Sequence, residues 1–495
     1  MARTSHRRTL RRREFARGYG CQPIAHSFSK DPFLGLDTIP STLRAIRQHK
    51  ILERGCALFR RYGTTFTIRE LQQSSILTIE PENIKTVLFV NFKEYGLSHR
   101  LQPFKPLLGE GIFNTDGAHW AASRALIRPS FARDQVIADL EALEALIQDL
   151  LALVPRDGAT IDLQELFFRY TMDSATGFLF GQSVHTLRQE QESPSGRVGF
   201  AEAFQYAQRA VLVRATLGSF NALYRDRKAE ECNRVCREFV QRFVDEAVHA
   251  AESKQRDGVS ANGEGTQKEK RRVFSHELAS RTSDKQRILD ELMNVLLAGR
   301  DTTASLLGNL FFMLAKNPAI WAKLRREVEV LQGRPPTYDE LPGLRYVQCC
   351  VKESLRLHPV VPRNQRQAVC DTVLPLGGGP DGLAPVFVPK GTFVAYSLFA
   401  LHRRRDLYGP DAEEFRPERW EDGSLQPQLR WGYLPFNGGP RICIGQRYAV
   451  TEASYVLVRL VQEFRRLESR DPGPWEESRG LTLCSRNGTR AGLVR

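Results

Sequence analysis

Residues 436–445 read FNGGPRICIG, and a helical pattern begins immediately after them. Cys443 therefore stands just ahead of a helix N-terminus, where unbonded amides and the helix dipole favour the thiolate, the form of cysteine that binds metals. Gly438 and Gly439 permit a tight turn with unusual backbone angles in front of it. A chance glycine-rich turn carrying a buried cysteine would read the same way in isolation. A second group lies in LLAGRDTTASLLGNLFF, residues 296–312, where Gly299, Arg300, Asp301, Thr302 and Thr303 interrupt an apolar run. Glycine uncovers the backbone and threonine competes for its hydrogen bonds, so the interruption weakens a helix and asks for a compensating role. An acid beside a hydroxyl can hold water and pass protons. Alone, the same residues fit local backbone bonding at a harmless kink equally well.

Three weaker patterns follow. Trp120 and Arg124 are four positions apart, so an indole N–H and a guanidinium project from one helix face and can both donate to a carboxylate. For the tryptophan by itself, a core position is the simpler reading. KESLRLHP sets Glu353 and Arg356 three apart, where they can pair, and FRPERW supplies Arg419 later in the chain; such pairs usually decorate a solvated helix face. Gly377, Gly379 and Gly382 spell G-x-G-x-x-G, but Pro380 and Pro385 forbid the phosphate-binding helix that should follow. That stretch reads as a loop between strands. His99, His119, His358 and His402 carry no metal spacing and read as packing or surface residues, and the pairs Cys232/Cys236 and Cys349/Cys350 lack further ligands at finger-like spacing.

These residues need elements to hold them. The stretch 284–316 keeps helical apolar spacing, with Ser283 or Asp284 as its N-cap and Pro318 beyond its end. A helix of that length spans about 50 Å, enough to cross a domain, so it is a central scaffold. Further helices are expected at 134–154, 198–218, 227–251, 318–332, 345–357 and 445–465, and short strands in TFTIRE, SSILTIE and FVPKGTFVAYS. The fold class is mainly α with small β-sheets. Residues 253–272, SKQRDGVSANGEGTQKEKRR, are polar and glycine-bearing and read as a flexible insert. No internal repeat is found, so the organisation is a basic tail, 1–20, and one domain, 21–495, carrying that insert.

Taken together, Phe436, Gly439, Arg441, Cys443 and Gly445 in F-x-x-G-x-R-x-C-x-G resemble the haem-binding loop of the cytochrome P-450 monooxygenases. The resemblance implies haem b with Cys443 as the axial iron ligand, a thiolate that favours O–O cleavage. It implies a long central helix over that haem, loosened beside the iron where Gly299 leaves room for dioxygen. Thr302 would hold oxygen and ordered water there, and Asp301 would relay protons. Trp120, Arg124, Arg441 and Arg363 would hold the haem propionates, and Glu353, Arg356 and Arg419 would form a buried triad bracing the cysteine loop. With no nicotinamide or flavin site, electrons would come from an NADPH-cytochrome P-450 reductase, and the substrate would be a hydrophobic small molecule. DPFLGLD, PLLGEGIFNTDGAHW, RLHPVVPRNQRQA and LPLGGGPDG are most similar to the fungal alkane and fatty-acid hydroxylases. This implies hydroxylation of an unactivated C–H bond in a lipid-like chain. Tailoring of a polyketide or other specialised metabolite is the alternative, because the same core motifs serve both.

Composition narrows the remaining classes. With 41% hydrophobic and 26% charged residues, the 495-residue chain is neither disordered nor fibrous. Its net charge of +14 includes seven arginines in the first 17 residues, and no nucleic-acid-binding signature accompanies them. A contact with an anionic membrane surface or a mitochondrial presequence are the two readings of that segment. No run of 18 apolar residues exists, because Arg300 and Asp301 divide the best one. The resemblance leads one to expect a membrane anchor ahead of the basic stretch, which is missing here, and location on the cytosolic face of the endoplasmic reticulum. Nine scattered cysteines exclude a secreted disulfide framework.

Overall fold

The computed structural model describes residues 2–495 apart from 28–30, 32–37, 71–72, 189–198, 219–220, 222–223, 257–271, 422 and 424–428. Lys285–Lys316 is one helix of 32 residues. It starts where the Asp284 carboxylate accepts the Arg287 amide at 3.0 Å, satisfying one of the orphan donors of a helix end. The expected loosening at its middle is not seen. The backbone stays helical through Gly299 and Thr303, because Thr302 Oγ1 turns back to the Ala298 carbonyl at 2.6 Å and does not divert the ladder.

The chain divides into two compact units. One comprises Met1–Leu97, Lys352–Cys443 and Glu476–Arg479; the other comprises Ser98–Val351, Ile444–Trp475 and Gly480–Arg495. The first holds a five-stranded sheet in the order Thr65–Glu70, Gln73–Thr78, Phe393–Ser397, Arg363–Ala368, Tyr95–Gly96. All neighbours are antiparallel except the second and third strands, which run parallel with Ser75 opposite Phe393. Phe59, Phe66, Ile76, Val394 and Leu401 bury its inner face. The expected strand FVPKGTFVAYS is two strands, Ala384–Val388 and Phe393–Ser397, divided by a turn at Gly391 with φ +90°. Thr372–Gly378 and Ala384–Val388 form a hairpin, and Gly377, Gly379 and Gly382 all take positive φ near its tip, as a loop between strands requires. The basic tail is itself a helix, Ala2–Gly18. Arginine is a good helix former, and the helix is fastened by Arg12 to Asp371 at 2.8 and 3.0 Å and by the Phe15 ring against Phe387.

The second unit is helical. The long helix packs along Leu163–Phe180, with the Phe167 and Phe311 rings 5.1 Å apart. That partner was not expected from the sequence: its apolar residues lie nearly all round, so no amphipathic stripe announces it. Around the pair stand Arg133–Leu153, Phe200–Leu217, Arg227–Arg256, Pro318–Val328 and Gln446–Glu463. The insert begins later than expected, since 253–256 complete the Arg227–Arg256 helix, and most of it lies outside the described residues. No helix among the described residues is long and apolar enough to cross a membrane.

Candidate active site

The cysteine loop of the first unit is fixed at several points. The Leu434 amide donates to His402 Nε2 at 3.0 Å, the Tyr396 hydroxyl to Asn437 Oδ1 at 3.0 Å, and the Cys443 amide to the Phe436 carbonyl at 3.0 Å. Gly439 has φ +68°, and a Cβ there would collide with the Leu88 carbonyl in the short π-helix Thr86–Val90. A Cβ on Gly438 would meet the Trp431 ring. Glycine is thus enforced at both positions by close approach. The loop ends with Cys443 exposed, in no disulfide and beside an exposed Ile442. Cysteine is among the most buried residue types, so a tightly fixed loop that presents a thiol and an isoleucine outward makes an apolar ledge with a metal-binding atom on it.

Beneath the loop lies a closed charge network. Arg356 Nε and Nη2 grip Glu353 at 2.8 Å each, Arg419 Nε adds 2.9 Å, and the Trp420 indole and Arg416 amide complete the carboxylate at 2.9 Å. The spare guanidinium donors reach carbonyls: Arg356 those of His402, Ala412 and Glu414, and Arg419 those of Tyr408 and Asp411. The sequence-predicted triad is therefore real, and it is buried rather than a solvated pair. His402 carries it to the loop. Burial, and next to it the Arg356 cation, pushes its imidazole down to about 3, so the ring is neutral. Its Nδ1 lies 3.2 Å from the Arg356 carbonyl while Nε2 accepts from Leu434. No spacing in HRRRDLYG could have singled this histidine out.

In the second unit, the long helix is buried from Ile288 to Phe312 except at Leu297, Ala298, Gly299 and Thr302, with Gly299 exposed. A Cβ at Gly299 would make only ordinary contact with Ala175, so packing does not require glycine there. Next to this opening, Arg300 Nη1 holds Asp301 Oδ1 at 2.7 Å, and the Arg300 cation lies over the Phe168 ring. Burial raises the Asp301 carboxyl above its usual range, with Arg300 pulling the other way. Gln208, on Phe200–Leu217, acts on the same carboxyl, yet its Nε2 and Arg300 Nε have no hydrogen-bond partner among the described residues. Sequence reasoning missed Gln208, which no motif marks. It also missed Glu452, which interrupts the apolar stripe Ala449, Ala453, Val456 and so could have been noticed. Glu452 accepts from Ser174 at 2.6 Å and is pushed up to about 7 by burial.

The other predicted residues divide between the units. Trp120 and Arg124 share Gly117–Ile127 in the second, one turn apart and half-buried. Arg441 is half-buried at the end of the turn before Cys443, and Arg363 is exposed at the start of its strand, both in the first.

The cytochrome P-450 family model matches residues 39–489. The chain is 48% identical to the cytochrome P-450 monooxygenase himC of Aspergillus japonicus over 96% of this chain and 84% of that one. It is 46% identical to the monooxygenase FPY7 of Fusarium mangiferae over 97% and 91%, and 46% to cytochrome P-450 52A3-A of Candida maltosa over 80% and 76%. The mainly helical architecture with small sheets agrees with these matches. The chain accordingly belongs to the cytochrome P-450 family, monooxygenases that bind haem b through a cysteine thiolate, use dioxygen and a redox partner, and act on hydrophobic substrates.

Proposed function

We propose that Cys443 would hold the haem iron through its thiolate and that the enzyme hydroxylates an unactivated C–H bond of an n-alkane, fatty acid or similar chain. The donor set suits the cofactor: one presented thiol for the iron, and the indole and guanidinium donors of Trp120, Arg124, Arg441 and Arg363 for its carboxylates. Bound haem supplies the activation of dioxygen and the oxidising equivalent for C–H cleavage. The observation that carries the reading is the opening at Ala298, Gly299 and Thr302 in a helix otherwise buried, flanked by the buried acid Asp301. Asp301, held by Arg300, would pass protons from solvent toward the opening, and Thr302 would exchange its bond to the Ala298 carbonyl for one to water there. Positioning, more than binding strength, decides which carbon reacts, so a terminal carbon needs an apolar channel that aims it.

Electrons come from an NADPH-cytochrome P-450 reductase, and the Ala2–Gly18 helix offers its arginines to an anionic leaflet on the cytosolic face of the endoplasmic reticulum. Purified enzyme with such a reductase is expected to oxidise dodecane or a long-chain fatty acid. NADPH consumption without oxidation of either would reject that substrate class. A second reading is tailoring of a polyketide or other specialised metabolite, since the same core motifs serve both substrate classes.

A further inference from the structure

We infer that the start of the long helix, Arg287–Asn294, is a clasp that sets where Trp120 and Arg124 stand and thereby governs how firmly the cofactor is held; this rests on the reading that those two residues donate to its carboxylates. The loop from Gly109 to Asp116, which leads into their helix, has no regular structure, so its amides need outside partners. Three side chains of the long helix supply them. Glu110 N donates to Asp290 Oδ2 at 2.8 Å, Ile112 N to Glu291 Oε2 at 3.1 Å and Phe113 N to Asn294 Oδ1 at 3.1 Å. Asn294 Nδ2 returns a bond to the Leu108 carbonyl at 2.9 Å. Asp290 is itself held by Arg237 at 3.0 Å and Gln286 at 2.6 Å, and Arg237 also reaches the Leu107 carbonyl.

The loop is pressed onto the helix. Side chains at Gly109, where φ is +65°, and at Gly111 would overlap Asp290 and Asn294. A second tether enters the tryptophan helix directly: Arg287 Nη2 donates to the His119 carbonyl at 3.2 Å and to Ser123 Oγ at 2.9 Å, bracketing Trp120. His119 Nε2 closes back on the Glu110 carbonyl at 2.9 Å. Asp290, Glu291 and Asn294 are all buried, and burying three neighbouring polar groups on a scaffold helix is costly where apolar packing was open to the fold. Apolar packing is non-directional, whereas bonds to successive amides fix register. The clasp therefore sets position. The same rigid helix carries Asp301 and Thr302 about 10 Å further on, so one element references both groups.

The test uses holoenzyme and follows transfer of haem to excess haem-free globin, alongside urea unfolding. Asn294→Ala should speed haem loss roughly ten- to a hundredfold, as loss of a supporting partner typically does. Asn294→Asp, which keeps the acceptor for Phe113, should lie between. Asp162→Ala removes the cap of Leu163–Phe180 in the same unit and serves as the stability control. It should lower the unfolding midpoint without matching the faster loss. Arg287→Met, which cuts the tether to His119 and Ser123 and removes the cation facing Glu291 while leaving the bonds of Asn294 in place, should also accelerate loss and decides the matter if Asn294→Ala does not fold. Wild-type rates in both clasp variants, or acceleration no greater than that of Asp162→Ala at equal midpoint, would overturn the clasp. Trp120→Phe and Arg124→Gln are run in parallel. If neither releases haem faster, the reading of those two residues fails on its own, whatever the clasp variants do.

Discussion

Glu353 and Asp301 are both buried carboxylates gripped by an arginine, and they differ in how completely their surroundings are bonded. Around Glu353, both carboxylate oxygens are filled by Arg356, Arg419, Trp420 and the Arg416 amide, and the remaining guanidinium donors end on carbonyls and the Asp411 carboxylate. Around Asp301, the arginine is its own neighbour in sequence, Arg300 Nε and Gln208 Nε2 are without hydrogen-bond partners among the described residues, and the helix opens to solvent one residue either side of the pair. A fully satisfied buried network rigidifies, and orphaned buried polar atoms need another explanation. The first fixes the cysteine loop through His402; the second leaves buried polar atoms unbonded beside the exposed Gly299, as the proposed proton relay requires.

The comparison can be broken by substitution. Glu353→Ala leaves Arg356 uncompensated and Arg419 with Asp411 alone, and should lower unfolding free energy by about 3–5 kcal/mol, read by urea titration with little holoenzyme recovered. Glu452→Gln tests a buried acid of the second unit. Its carboxyl is pushed up from the ordinary 4.5 to about 7, so the folded chain keeps a proton that the unfolded chain gives up. Stability tied to it is full below pH 4.5 and fades as pH rises through 7, by about 3 kcal/mol; the glutamine variant should lack that decline across the same window. Asp301→Asn should leave the unfolding midpoint near wild type while product formation falls roughly a hundredfold and peroxide rises, the signature of a proton-transfer residue. An equal loss of stability would make Asp301 a second structural acid and erase the contrast. His402→Leu strands the Leu434 amide and should cost about 1–3 kcal/mol with the Asp301-dependent coupling intact.

Much of this was legible in the sequence because it is local. The capped long helix, the strands in TFTIRE and SSILTIE, the glycines of the cysteine loop and the pairing of Glu353 with Arg356 all follow from short-range spacing. Arg419 completing that pair needed the family resemblance, since nothing local joins positions so far apart. The Leu163–Phe180 helix stayed hidden because a helix buried all round shows no stripe. The loosened helix centre was wrongly expected: a threonine that bonds back to the preceding turn can keep a helix intact as well as weaken it. His402, Gln208 and the clasp at Asp290, Glu291 and Asn294 depend on segments brought together only by folding.

The proposed chemistry requires the sulfur of Cys443 to bind iron, and the reduced, carbon-monoxide-bound absorption spectrum of the purified protein reads that bond directly. The wild-type chain should give the red-shifted Soret band of a thiolate-ligated haem, and Cys443→Ser should lose it while the far-ultraviolet circular dichroism stays helical. A wild-type band at the position of an ordinary histidine-ligated haem would contradict it.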